Sequence, residues 1–223
     1  MAEPRRALVT GASGGAGGGV LAAFLDAGWR VAGVTRRDPP PEPTDVAWIR
    51  ADIRDAASAE AMVAEAVGAM GGLDALVCLA GGFTSAPLDG LSWSDFDAQL
   101  ASGLRPTVEA VLASLPHLRE ADGGCIVTVG AQAAAKPGRN AGPYAAVKSA
   151  IATWTISLAA GLRPSGVRAN CVLPGTLDTE ANRASMPDAK RDAWVAPVEL
   201  GRLIVYLCSP ASRPLTGIGI PIG

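Results

Sequence analysis

The chain alternates short apolar runs with longer segments in which apolar residues recur at helical spacing. The apolar runs predict seven strands, over residues 6–10, 30–35, 46–50, 74–80, 125–130, 167–173 and 217–222. The helical spacing predicts helices near 16–27, 57–70, 93–119, 143–162 and 197–208. Strands that alternate with helices imply right-handed βαβ crossovers, so we expect one α/β domain over 1–223 with a doubly wound parallel sheet.

The connection between the second and third strands departs from this alternation. It reads RRDPPPEPTD over 36–45, and its prolines lack the amide hydrogens that a helix needs. We therefore expect an extended loop without a helix between these two strands.

Composition excludes several classes of protein. Net charge is −2 and no long basic run occurs, so we expect no nucleic-acid partner. No apolar run approaches the roughly 20 residues of a membrane span, and the N-terminus lacks a signal-peptide core. Four scattered cysteines and one histidine, His117, offer no metal cluster. These features predict a cytoplasmic protein with free thiols, without a metal and without a membrane partner.

A glycine-rich turn follows the first predicted strand, in the sequence TGASGGAGGG over 10–19. Gly11, Gly15 and Gly17 would provide the sharp turn, the close backbone approach and the tight helix contact of a dinucleotide site. A helix that begins there would present free amides and a partial positive charge to a pyrophosphate. The strand before the turn and the helix after it are the context that this motif requires.

The residues that end the second predicted strand point to one cofactor. Thr35, Arg36 and Arg37 stand where an NAD site has a carboxylate, and Asp38 falls past the strand. A guanidinium group matches the geometry of a phosphate. The cofactor predicted from these residues is NADP(H).

Tyr144 and Lys148 lie four residues apart in the predicted helix 143–162, in the sequence YAAVK. That spacing places both side chains on one face of the helix. Beside a nucleotide site, the pair is typical of proton transfer.

Taken together, these motifs resemble those of the short-chain dehydrogenase/reductase family along the whole chain. TGASGGAG (10–17), AD (51–52), CLAG (78–81), YAAVK (144–148), PGTLDT (174–179) and LTGIGIPIG (215–223) occur in the family's order. The resemblance implies a Rossmann fold with strand order 3-2-1-4-5-6-7. It also implies that Tyr144 is the general acid or base, and that Lys148 binds the nicotinamide ribose and lowers the pKa of the tyrosine. Further cofactor contacts are implied for Ser13, Ala16, Asp52, Ile53, Ala80, Gly81, Gly82, Pro174, Gly175, Leu177 and Thr179.

Two positions depart from the family pattern. The family usually has a serine thirteen residues before the tyrosine, and this chain has Ala131; the family asparagine of the middle helix corresponds to Gly103, where a glycine predicts a local kink. The dihydropteridine reductase branch also lacks the serine, and its resemblance to DALVCLAGGF (74–83) implies a conjugated C=N substrate. Alternatively, Gln132, Ser102 or Thr176 replaces the serine in a ketone or 3-oxoacyl reductase. A third alternative is a scaffold that binds the cofactor without turnover.

The substrate pocket is expected at the carboxyl ends of the strands. Its predicted walls are 81–87, 131–140 and the small substrate insertion near 176–196, which is polar and long enough to close over a small molecule. Phe83 and Trp194 are the aromatic candidates for contact with the substrate, beside Ala131 and Gln132. Apolar residues on several faces of helices 93–119 and 143–162 predict a homodimer or homotetramer.

Overall fold

The computed structural model describes residues 3–41 and 43–223, which form one seven-stranded parallel sheet flanked by helices. The strands are β1 (Arg6–Thr10), β2 (Arg30–Thr35), β3 (Val46–Arg50), β4 (Ala75–Cys78), β5 (Cys125–Val129), β6 (Arg168–Pro174) and β7 (Gly219–Ile222). The helices are α1 (Gly17–Asp26), α2 (Ala56–Met70), α3 (Trp93–Gln99), α4 (Arg105–Glu120), α5 (Gly142–Leu162), α6 (Glu180–Ser185) and α7 (Pro197–Cys208). The strand order is β3-β2-β1-β4-β5-β6-β7, so the predicted topology is confirmed.

The sheet divides the core into two apolar layers. Along β1, Leu8 packs in the layer beneath α2, α4 and α5, whereas Ala7 and Val9 pack in the layer beneath α1 and α7. Both faces of a parallel sheet are therefore covered, as βαβ crossovers require. The described residues of the proline-rich connection, 36–41 and 43–45, contain no helix, in agreement with the prediction.

Helices α1 and α7 approach each other closely because both carry glycine at the contact. A Cβ atom at Gly19 would lie 2.5 Å from the carbonyl carbon of Pro197, and one at Gly201 would lie 2.8 Å from the carbonyl oxygen of Gly19. Neither distance is compatible with a side chain. These two helices thus pack backbone to backbone, in a chain that has few aromatic side chains to fill its core.

The expected kink at Gly103 takes the form of a π-helical turn, Leu100–Leu104, between α3 and α4. The hydroxyl of Thr107 donates a 2.8 Å hydrogen bond to the carbonyl oxygen of Gly103. A Cβ atom at position 103 would lie 3.0 Å from Cγ1 of Val147 on α5. Glycine therefore lets the turn lie directly against the helix that carries Tyr144 and Lys148.

One helix bears on the expectation that no apolar run is long enough for a membrane span. Residues 142–165, which include α5, form a helix long and apolar enough to cross a bilayer. This helix packs on β5 and β6 and holds a buried lysine, Lys148, in its second turn. Core helices of this kind pass the same test, so the match is weak evidence for a span.

The segment after β6 is tied at both ends before it reaches α7. Leu177 and Val195 form an isolated parallel bridge, in which the amide of Asp178 donates to Val195 (2.8 Å) and the amide of Val195 donates to Thr176 (2.9 Å). Between these ties lies α6, capped by the hydroxyl of Thr179, which accepts from the amide of Asn182. We call residues 178–194 the substrate segment.

Candidate active site

A single cleft of about 1640 Å³ opens at the carboxyl ends of the strands. Residues that follow β1, β2, β4, β5 and β6 line it, so the crossovers alone bring them together. All predicted site residues except Gly17 line this cleft: Gly11, Ser13, Gly15, Ala16, Thr35, Arg36, Arg37, Asp52, Ile53, Ala80, Gly81, Gly82, Phe83, Ala131, Gln132, Tyr144, Lys148, Pro174, Gly175, Leu177, Thr179 and Trp194. The volume exceeds that of a typical small-molecule pocket, in keeping with room for a dinucleotide and a substrate.

The glycine turn leaves backbone amides without an acceptor in residues that line the cleft. Gly11 has φ +68°, and a Cβ there would lie 2.7 Å from the amide nitrogen of Ala80. A Cβ at Gly17 would collide with the carbonyl oxygen of Ala12, so this glycine serves the close helix contact rather than the cleft wall. The amides of Ser13, Gly15 and Ala16 donate to no acceptor among the described residues. Such a set of donors at the start of a helix suits an anionic pyrophosphate.

The end of β2 carries the side chains expected beside the ribose. The hydroxyls of Ser13 and Thr35 lie 2.8 Å apart, and Thr35 also accepts from the amide of Arg37. Asp38 pairs with the Arg50 guanidinium at 3.0 Å. Within the described residues, Arg36 and Arg37 form no salt bridge, so both cations face the cleft uncompensated.

The residue predicted to contact the adenine, Asp52, has a second partner within the protein. Asp52 lines the cleft beside buried Ile53, but its carboxylate also pairs with the side chain of Arg54. An adenine bound to Asp52 would share the carboxylate of Asp52 with the guanidinium of Arg54.

Lys148 is the buried cation of the site. It is 7% exposed, and Nζ donates a 2.8 Å hydrogen bond to the carbonyl oxygen of Val129 at the end of β5. Burial disfavours the ammonium and lowers the pKa of Lys148 to about 8, while the thiols of Cys171 and Cys78 oppose this shift. The lysine is therefore still mostly protonated at neutral pH.

Tyr144 lies one helical turn before Lys148 and packs edge-on against Phe83, with ring centroids 5.2 Å apart. The ammonium nitrogen of Lys148 lies 5.9 Å from the centre of the tyrosine ring. Burial raises the pKa of Tyr144, because the phenolate is harder to solvate than the phenol. Desolvation dominates in this geometry, and the lowering expected from Lys148 does not show at this distance.

The position of the missing serine is a buried alanine, and its neighbour is already engaged. Ala131 is 6% exposed and its backbone is extended. The side-chain amide of Gln132 donates to the carbonyl oxygens of Ile222 (3.1 Å) and Gly223 (2.7 Å). Since a primary amide has two hydrogens, both are used, and Gln132 is a poor replacement donor in this arrangement. Ser102 and Thr176, the other predicted replacements, both line the cleft.

Sequence reasoning missed several lining residues at the substrate end, among them Lys136, Met186 and Lys190. They belong to the predicted walls 131–140 and 176–196 but to no motif, so only the regional prediction could indicate them. Trp194 lies under the guanidinium of Arg191, 5.6 Å from the ring centre, and Phe83 is 59% exposed.

Comparison with known proteins identifies the family. Residues 5–190 match the family model described as short chain dehydrogenase. The chain belongs to the short-chain dehydrogenase family. The family and the strand order that the resemblance implied are thus confirmed.

Three proteins similar to this chain are dehydrogenases or reductases by name. A cyclohexanol dehydrogenase of Rhodococcus sp. is 35% identical over 189 residues, which cover 78% of this chain and 70% of the relative. The 2,3-dihydro-2,3-dihydroxybenzoate dehydrogenase of Escherichia coli is 33% identical over 84% of this chain and 72% of its own. The structure of 3-ketoacyl-(acyl-carrier-protein) reductase from Brucella melitensis, complexed with NADH, superimposes with a TM-score of 0.86 at 25% identity, covering 98% of this chain and 96% of that one. The likeness to the dihydropteridine reductase branch remains a prediction.

Proposed function

We propose that the protein is an NADP(H)-dependent reductase that transfers a hydride to a carbonyl or conjugated C=N carbon of a small molecule. The observation that carries this proposal is the joint position of Tyr144, Lys148 and the glycine turn on one cleft. Membership of an oxidoreductase family supports redox chemistry rather than a scaffold without turnover.

The residues present fit a reduced nicotinamide dinucleotide. The free amides at 13, 15 and 16 would hold its pyrophosphate, and Asp52 and Ile53 would bound its adenine. Residues 174–179 would face the nicotinamide end. When bound, the dinucleotide supplies the hydride.

We favour NADP(H) over NAD(H) because two unpaired guanidinium groups follow β2. The nearby Asp38, which would repel a 2′-phosphate, is paired with Arg50. Arg36 and Arg37 could each bind that phosphate through a fork of N–H donors.

Tyr144 would move the proton. Its hydroxyl makes no hydrogen bond to any described residue, which leaves it free to bond a substrate oxygen or nitrogen. Burial, which raises the pKa of Tyr144, disfavours the phenolate that proton transfer would leave. Lys148, held by Val129, would place its positive charge beside the phenolate that forms and stabilise it.

The missing serine bears on the acceptor. A ketone gains charge on oxygen in the transition state, and loss of one donor there costs about 3–4 kcal/mol in comparable sites. With Ala131 in place and Gln132 engaged, an acceptor already activated by conjugation fits this site best. A typical ketone or 3-oxoacyl substrate is the second candidate, favoured by the hydroxyls of Ser102 and Thr176 on the cleft.

Substitution of the phenol tests the proposal. Tyr144→Phe should retain binding of NADPH, measured by fluorescence titration, and should lower turnover by about 10²-fold or more. Tyr206→Phe is the matched control, because Tyr206 is the other tyrosine of the chain and lies half-exposed on α7 away from the cleft. Equal turnover of wild type and Tyr144→Phe would overturn the assignment.

We also propose that the protein is a cytoplasmic homodimer or homotetramer. Leu112 on α4 and Ile156 on α5 are about half-exposed, which leaves apolar surface for a second copy to cover. All four cysteines are free, as in a reducing compartment. Light scattering that shows a monomer at micromolar concentration would refute the assembly.

A further inference from the structure

The two ends of the cleft differ in the charges that line them. The nucleotide end carries two acids, Asp38 and Asp52, beside Arg36 and Arg37. At the substrate end, around Phe83, Met186 and Trp194, the described lining residues include no aspartate or glutamate. The charged residues there, apart from Lys148, are Lys136 and Lys190.

These two lysines come from different loops that line the cleft. Lys136 lies in the loop after β5, four residues beyond Gln132, and Lys190 lies in the substrate segment after α6. Both are exposed, and neither forms a salt bridge within residues 3–41 and 43–223. An ammonium on a flexible four-carbon stem can therefore reach into the cleft from each loop.

No acid forms a salt bridge with either lysine among the described residues. Asp178 is paired with Arg183, and Asp192 and Glu199 line a small adjoining cavity that shares Ala193, Trp194 and Gly223 with the cleft. Asp188 lies in the same segment as Lys190 but does not line the cleft. The substrate end thus combines apolar and aromatic surface with two unpaired cations.

We propose that the substrate is a carboxylic acid whose apolar body carries the reacting carbonyl or C=N group away from the carboxylate. This proposal rests on the proposed reductase function. The body would lie against Phe83 and Trp194, and the carboxylate would lie between Lys136 and Lys190. The carboxylate is unchanged in the reaction: the acceptor carbon takes the hydride of NADPH, the acceptor oxygen or nitrogen takes the proton of Tyr144, and NADP⁺ is released.

Matched acids and esters test the proposal. We would compare 4-acetylbenzoate with its methyl ester, which differ in the charge at one end. In the wild type, kcat/KM should favour the acid by about tenfold or more at low ionic strength, and the preference should shrink as salt screens the lysines. The double variant K136Q/K190Q should lose about tenfold in kcat/KM for the acid, through KM, and should keep its activity on the ester. Arg202→Gln, an exposed cation on α7 outside the cleft, is the control.

The possible outcomes distinguish the carboxylate site from the reductase function on which it rests. Equal use of acid and ester by the wild type, or an equal loss of both in the double variant, overturns the carboxylate site and leaves the reductase intact. If neither compound is turned over, calorimetric titration of 4-acetylbenzoate into the NADPH complex decides. Binding that K136Q/K190Q abolishes supports the carboxylate site, and the absence of turnover then counts only against reduction of a simple ketone. No binding overturns the carboxylate site.

Discussion

Nζ of Lys148 donates a 2.8 Å hydrogen bond to the carbonyl oxygen of Val129, which fixes the buried ammonium at the end of β5. That bond orients the lysine from within the protein, independently of any ligand. It also holds a charge in a place where burial lowers the pKa to about 8 from an ordinary value of 10.5. The site therefore carries a cost in stability, and the cost can be measured.

Replacement of Lys148 by methionine should stabilise the fold and abolish turnover. The pKa difference corresponds to at most about 3 kcal/mol, reduced by the carbonyl of Val129 that loses its donor. Because the folded pKa lies below the unfolded value, the unfolded chain binds more protons between about pH 8 and 10.5. The wild type should gain stability as pH rises through this window. Thermal melts of both proteins from about pH 7 to 10 test the sign, with exposed Lys136→Met as control; a wild type that stays parallel to Lys148→Met would contradict it.

Introduction of a serine at Ala131 should raise the reduction of simple ketones. The alanine lines the cleft with Tyr144, and a hydroxyl there adds the donor that stabilises charge on a substrate oxygen. We expect kcat/KM for ketones to increase at least about tenfold, with less effect on a conjugated C=N acceptor. Ala133→Ser, a change of the same kind two residues on, is the control because Ala133 also lines the cleft. No change in Ala131→Ser would mean that another group already fills this role.

A methyl group at Gly103 should disturb catalysis more than stability. Its Cβ would lie 3.0 Å from Cγ1 of Val147, which stands between Tyr144 and Lys148 on α5. Displacement of Val147 shifts the reacting pair, and small misplacements in a site are costly. Gly103→Ala should lower kcat by about tenfold, and Val147→Ala in the same chain should restore it. If the double variant is as slow as Gly103→Ala, the contact is not the cause.

Charge reversal at Arg36 should change the preferred dinucleotide. An aspartate at this position would repel a 2′-phosphate and accept bonds from the ribose hydroxyls of NADH. Arg36→Asp should raise KM for NADPH by about 10-fold or more, while KM for NADH stays level or decreases. Arg119→Asp makes the same change of charge on α4, outside the cleft. Indifference of Arg36→Asp to the phosphate would mean that Arg37 or Ser13 decides.

The sequence predicts the sheet well, because strands depend on local patterns, and it names motif residues that the fold brings to one cleft. Apolar runs mark β1, β2 and β3 to the residue, and parallel crossovers then bring the ends of the strands to one edge. The π turn at 100–104 escapes this reasoning, since i→i+5 hydrogen bonds leave no mark in a 3.6-residue pattern. The glycine at 103 was the one visible sign.

Long-range contacts account for what the sequence could not give at the site. Gln132 reads as a free amide until the fold brings Ile222 and Gly223, about 90 residues away, against it. The pKa of Tyr144 depends on how deeply the ring is packed, which includes its contact with Phe83. The presence of Lys136 and Lys190 on one cleft likewise depends on the fold, which brings the loops after β5 and β6 to the same edge of the sheet.

Because Gly19 contacts Gly201 closely, a mutation at either glycine would affect two separate binding regions of this enzyme. Helix α1 begins at the glycine turn, and α7 begins two residues after the Leu177–Val195 bridge that closes the substrate segment. The packed helices α1 and α7 support both the glycine turn and the substrate segment, although neither Gly19 nor Gly201 lines the cleft. A side chain at either glycine would push the two helices apart. One mutation remote from any ligand would therefore weaken the binding of nucleotide and of substrate together.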